Sequence, residues 1–182
     1  MNKLNVGDRV PEIVYETPFE KGVSLDDKVS GSKKTALIFL RYYGCPLCQY
    51  DMLQFAKKYS EIKQMSCELI VALQSDPIQL AEQLKGEHTF PYDVLCDPKQ
   101  ELYKQFDIDV AKSMAAMAGP STMMKIAKVK LAGIEHGTNE GEELQLPAVF
   151  IMDQKRVLTY VRYGKKVDDI PTPEELVQLL QA

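Results

Sequence analysis

Cys45-Pro46-Leu47-Cys48 is the stretch of this chain whose residue types and spacing amount to a reagent. The nucleophilic form of cysteine is the thiolate, and a thiolate is favoured where positive charge or unpaired N–H groups face it. The surrounding pattern supplies such a place. An apolar run, Ala36-Leu37-Ile38-Phe39-Leu40, leads through Arg41-Tyr42-Tyr43-Gly44 into the two cysteines, and Met52, Phe55, Ala56, Tyr59 and Ile62 then recur at helical spacing. This predicts a buried strand, a short turn and an amphipathic helix that opens on Cys-x-x-Cys. A helix start presents free N–H groups and the positive end of the dipole. Cysteine pKa values at such starts fall from about 8.5 to roughly 3.5–7.5. Cys45 and Cys48 are therefore expected to form a reversible disulfide.

The neighbouring residues admit sharper and plainer readings. Arg41 is either a charge at the strand's end with a surface partner or the cation that favours the thiolate. Tyr42 and Tyr43 either pack or place a hydroxyl beside the sulfur. Cys67 reads as a small buried hydrophobe, and Cys96 as core or as an extra resolving thiol. A structural zinc site needs four N or S ligands, usually as two pairs. Cys67, Cys96, His88 and His136 each stand alone, so no metal is expected. No glycine-rich phosphate loop is present, so no nucleotide or flavin cofactor is expected either.

The elements that must position the dithiol follow in order. Asn2 to Asp27 reads as an arm with short strands around Glu12–Tyr15 and Val23–Leu25, turning at Pro11, Pro18 and Gly22. Leu69–Leu73 is an apolar run of the kind buried on both faces of a sheet. Asp76-Pro77 opens a helix to about Leu84. Tyr92–Cys96 is a short strand, after which Asp97 caps a helix carrying Leu102, Tyr103 and Phe106. Ala148–Met152 and Val157–Val161 form a strand pair, and Thr172-Pro173-Glu174-Glu175 is a capping box before a terminal helix. Between them, Ala111 to Leu131 reads as one or two helices broken at Gly119-Pro120. This segment carries Met114, Met117, Met123 and Met124, suited to filling a core or to an adaptable contact surface. Gly133 to Gln145 is an acidic, glycine-rich loop that runs directly into Leu146-Pro147, placed to lie over the site.

A length of 182 residues with 45% hydrophobic content suffices for one domain, 1–182, with a sizeable core. The net charge of −4 argues against nucleic acid as a partner. No stretch approaches the ~20 apolar residues of a membrane span, and the start has no apolar signal region. A cytoplasmic, reducing compartment is expected, where cysteines serve catalysis more often than structural disulfides.

Three features together resemble the thioredoxin-like fold: the strand–Cys-x-x-Cys–helix unit, Leu146-Pro147 before an apolar strand, and the strand pair with its terminal helix. The N-terminal arm, Phe90–Pro98 and Leu146–Asp153 resemble the peroxiredoxin-like branch, the alkyl hydroperoxide reductase/thiol-specific antioxidant group. The likeness covers nearly the whole chain apart from Ala111–Gln145. It implies a three-layer α/β domain with a central mixed sheet, an N-terminal strand extension and a helical insertion near 111–132. It also implies that Pro147 is cis and packs against the dithiol. The activity implied is thiol-dependent reduction of a peroxide or a disulfide, reset by an external thiol such as thioredoxin or glutathione. A homodimer is compatible with it.

The chain departs from the peroxiredoxin signature Pro-x-x-x-Thr-x-x-Cys. Placed on Cys48, the signature meets Arg41 where it has proline and Cys45 where it has threonine. Arg41 is the available substitute for the arginines that polarise peroxide in that family. Thioredoxin logic makes Cys45 the nucleophile and Cys48 the resolving thiol, whereas peroxiredoxin logic makes Cys48 the attacker. The helix-start argument favours Cys45, which is also expected to be the more exposed. A redox-sensing or binding module with little turnover is the competing reading.

Overall fold

The computed structural model describes residues 3–84 and 90–182. The N-terminal arm forms a two-stranded antiparallel ribbon of β1 (Val14–Tyr15) and β2 (Val23–Ser24), and Leu25 opens a helix, α1 (Leu25–Ser30). The expected strand through Leu25 is corrected here. Ser24 is the extended residue before the helix, and Asp26 and Asp27 occupy its first turn, where carboxylates suit the helix dipole.

The chain then runs through β3 (Lys34–Phe39), α2 (Pro46–Gln64), β4 (Glu68–Leu73), α3 (Pro77–Gln83), β5 (Asp93–Cys96) and α4 (Glu101–Gln105). Two helices follow, α5 (Met114–Met117) and α6 (Pro120–Leu131), with the break at Ala118-Gly119; β6 (Ala148–Asp153), β7 (Leu158–Tyr163) and α7 (Pro173–Gln181) complete the chain. The caps that end and start these elements are local. Asp76 accepts from the N–H groups of Ile78 and Gln79, and Thr172 and Glu175 close the capping box of α7. Asp97 serves α4 from a distance: its carboxylate takes the N–H groups of Glu101, Leu102 and Tyr103, while Gln100 supplies the left-handed residue before the helix.

The five-stranded sheet has the order β5-β4-β3-β6-β7. β3, β4 and β5 are parallel, and β6 and β7 are antiparallel additions on the other side of β3. Because helices cover both faces, β3, β4 and β6 are apolar at successive positions rather than alternate ones. Leu37 and Phe39 point to one face, with Ile70, Phe150, Tyr103 and Phe106; Ala36, Ile38 and Leu40 point to the other, with Met52, Phe55 and Leu176. This is the mixed-sheet, three-layer α/β fold that the sequence resemblance implied, and β3 lies at its centre. Among the described residues no helix is long and apolar enough to cross a membrane.

The end of β3 carries the site, and a buried tyrosine fastens it. The Tyr103 hydroxyl donates to the carbonyls of Leu40, at 2.6 Å, and Ala72, at 3.0 Å. Leaving a buried carbonyl without its donor costs about 1–3 kcal/mol, so Tyr103→Phe should lower stability by that amount. In urea unfolding the midpoint should fall with the slope unchanged; an unchanged midpoint would show that the hydroxyl is dispensable.

Candidate active site

Past Phe39 the backbone continues along β4 for two more residues: Leu40 N–H donates to the Ala72 carbonyl, and Gln74 N–H to the Arg41 carbonyl. The chain then turns. Tyr43 N–H donates to the Ser75 hydroxyl at 2.9 Å, and Cys45 N–H closes the turn on the Tyr42 carbonyl at 3.2 Å. Cys45 is thereby the extended N-cap residue of α2, with Pro46 at the first helical position. Proline there supplies a preset φ and removes an N–H that would have had no partner.

The Cys45 sulfur occupies the place usually taken by a capping oxygen. It accepts from Cys48 N–H at 3.3 Å and from Arg41 Nη2 at 2.9 Å. Arg41 is buried, its Nη1 is bound by the Glu143 carbonyl at 2.7 Å, and among the described residues it forms no ion pair with a carboxylate. Its guanidinium thus faces the sulfur, the arrangement that the second of its two readings requires. Burial raises the Cys45 pKa, but the hydrogen bonds from Cys48 and the Arg41 charge outweigh it and bring the thiol down to about 6. Cys48 moves the other way: burial and its hydrogen bond to Cys45 hold it well above the ordinary thiol range. The two cysteines thus lie in opposed environments, one thiol pushed down and the other up.

Two expectations fail here. Cys45 is not the more exposed sulfur: it is 0% exposed and Cys48 is 3%. Residues 133–145 cause this by packing on the turn, with Gly137 N–H donating to the Gly44 carbonyl at 2.8 Å. Nor is Leu146-Pro147 cis; the described residues contain no cis peptide bond. Neighbouring hydrogen bonds fix the path of the chain on both sides of the bond. Leu146 N–H donates to the Asp109 carbonyl, the Gln145 side chain spans the carbonyls of Asp109 and Leu146, and Gly164 N–H donates to the Pro147 carbonyl. The ring of Pro147 packs on Gly164, where a Cβ would approach its Cγ to 2.8 Å. That path is met by the trans form, which an X–Pro bond favours by about 0.5–1 kcal/mol.

The remaining two cysteines are buried in other surroundings. Cys96 is pushed up to about 12 by burial, and Cys67 is buried with its sulfur toward the Met65 carbonyl. Among the described residues no three His, Cys, Asp or Glu side chains lie together as a metal site. His136 is exposed on the loop and His88 lies outside the described residues.

Sequence reasoning overlooked a buried ion pair. Asp51, on the inner face of α2, meets Lys125 of α6 at 2.5 Å and ties the helical insertion to the dithiol helix. Burial pushes the Asp51 carboxyl up to about 6 despite this partner. The signal was present: Asp51 sits at the buried helical spacing with Cys48, Met52 and Phe55, where a carboxylate needs a reason. Of the four insertion methionines only Met117 is buried, whereas Met114, Met123 and Met124 are exposed.

Residues 6–161 match the model of the AhpC/TSA family. A peroxiredoxin of Hyperthermus butylicus is 25% identical over 186 residues, spanning 96% of this chain and 67% of that protein. The peroxiredoxin-like protein of Aquifex aeolicus superposes with a TM-score of 0.66 at 18% identity, covering 100% of this chain and 88% of that one. BcpB of Mycobacterium tuberculosis gives 0.67 at 14% identity, with 97% and 96% covered. At these identities the structural likeness shows the fold, which is the thioredoxin-like fold of peroxiredoxins.

Proposed function

The chain belongs to the AhpC/TSA family and is a thiol-dependent oxidoreductase, and on that premise we propose a peroxidase cycle run by the Cys45–Cys48 pair. The observation that carries this reading is the Arg41 Nη2 contact to the Cys45 sulfur at 2.9 Å. It supports Cys45 as the attacking thiolate, Arg41 as its counter-ion and Cys48 as the resolving thiol.

In this cycle the Cys45 thiolate attacks one oxygen of a hydroperoxide. An S–O bond forms, the O–O bond breaks, and the departing oxygen takes up a proton to leave as water or an alcohol. Cys45 is then a sulfenic acid. Cys48 attacks that sulfur, expelling the hydroxyl as water and closing a Cys45–Cys48 disulfide. Its raised pKa keeps Cys48 protonated, and so out of competition, until the charge on Cys45 has been discharged. An external donor, the dithiol of thioredoxin or two glutathiones in turn, then attacks the disulfide through a mixed disulfide, restores both thiols and leaves as its own disulfide. This donor ties the cycle to a reducing compartment, the cytoplasm, with residues 1–182 acting as one domain. Sulfur carries both electrons, so the cycle calls on no further cofactor.

Purified protein should consume hydrogen peroxide or an alkyl hydroperoxide in a coupled assay with thioredoxin and its reductase, or with glutathione. No turnover with any of these pairs sinks the peroxidase reading. A second reading, a redox sensor with little turnover, is supported by the complete burial of Cys45. The same assay separates the two.

A further inference from the structure

We propose that residues 133–145 are a lid over Cys45, latched through Glu140, which selects small hydroperoxides against bulky ones. The substrate part rests on the reading of Cys45 as the nucleophile; the lid itself does not.

The lid touches every part of the turn that carries the sulfur. Glu143 offers its carbonyl to Arg41, Glu142 N–H donates to Gln74 Oε1 at 2.6 Å, and Gly137 N–H donates to Gly44. Glu140 accepts from the Ser75 hydroxyl and, at 2.7 Å, from Gln83 Nε2. Ser75 in turn accepts from Tyr43 N–H, so a single hydroxyl joins the latch to the turn. These contacts are polar. Of the segment's apolar side chains, Ile134 and Leu144 pack against the core, partly buried; Gln145 at its end is buried, and residues 135–139 are exposed. A segment held this way, with little buried apolar surface, belongs to the part of a fold that opens most readily.

The closed state also leaves donors unused beneath it. Among the described residues, Tyr42 Oη, Arg41 Nε and Gln74 Nε2 are buried without partners, and all three residues lie in or beside the turn that the lid covers. Buried polar groups are ordinarily paired. An oxygen-rich ligand of small size, such as a hydroperoxide, supplies acceptors for such donors, whereas a bulky apolar one does not.

The closeness of the lid provides a second handle. A Cβ on Gly44 would run into the Thr138 carbonyl oxygen and sit 2.9 Å from its carbon. Gly44 has no positive φ, and the three atoms nearest a Cβ there all belong to Thr138 of the lid. Gly44→Ala is a wedge from below, and Glu140→Ala removes the latch from above.

The test is alkylation of Cys45 in the reduced protein, located by peptide mass and compared at the plateau of each variant's own pH profile. The plateau removes any difference in thiolate fraction. With a bulky fluorescein maleimide both variants should react at least about tenfold faster than wild type, and with iodoacetamide the gain should be smaller. An unchanged maleimide rate in either variant overturns the lid. In the peroxidase assay the ratio of kcat/KM for cumene hydroperoxide over hydrogen peroxide should rise in both variants; an unchanged ratio overturns the selectivity. Faster alkylation in a protein that reduces no peroxide upholds the lid and sinks the proposed peroxidase cycle, so the two failures are distinct.

Discussion

Cys45→Ser should abolish peroxide turnover, with a loss on the order of a thousandfold or more, because Cys45 is the sulfur lowered toward the thiolate while Cys48 and Cys96 are held up as thiols. Cys48→Ser should behave differently. It should take up one equivalent of peroxide and stop, with a sulfenic acid on Cys45 that a dimedone-type reagent captures. The asymmetry follows from the opposed environments. Two hydrogen-bond donors face the Cys45 sulfur, and Cys48 itself donates. An adduct on Cys48 in the Cys45→Ser protein, with none on Cys45 in the Cys48→Ser protein, would reverse the assignment. It would place the attacking sulfur at the position that the peroxiredoxin signature reserves for it.

Removing the cation should be less damaging, and its effect should depend on pH. Arg41→Met takes away both a hydrogen bond and a positive charge from the Cys45 sulfur. The midpoint of Cys45 alkylation against pH should then rise from about 6 by two units or more. A thiol with a pKa of about 6 is about nine-tenths thiolate at pH 7, against about 3% near 8.5, so the rate at pH 7 should fall about thirtyfold. At the high-pH plateau the two proteins should converge. Arg41→Lys, which keeps the charge without the planar fork, should fall between them. Stability should follow the same charge. The folded pKa lies below the unfolded one, so the thiolate contact stabilises fully above the ordinary thiol pKa. That contribution is lost as pH falls through about 6. In Arg41→Met this slope should flatten. An alkylation midpoint still near 6 would mean that Cys48 N–H and the helix start suffice alone.

Much of this was legible locally. The apolar run into Cys-x-x-Cys, the Asp76-Pro77 start and the Thr172–Glu175 capping box each depend on residues close to one another in sequence. Their physics is complete in the sequence, and each element stands where it was expected. The choice of Cys45 as nucleophile was reached the same way, from its place at a helix start, and the pKa contrast supports it. The reason of exposure did not hold. Exposure, like the isomer of Pro147, is settled by segments distant in sequence. The turn at 41–45 is covered by 133–145, and the peptide before Pro147 is fixed by Asp109 and Gly164. Arg41 shows the division most clearly. Its charge and its place four residues before Cys45 were in the sequence. That it faces the sulfur, with Nη1 tied to the Glu143 carbonyl and among the described residues no carboxylate to neutralise it, was decided only when the chain folded its lid over the strand's end.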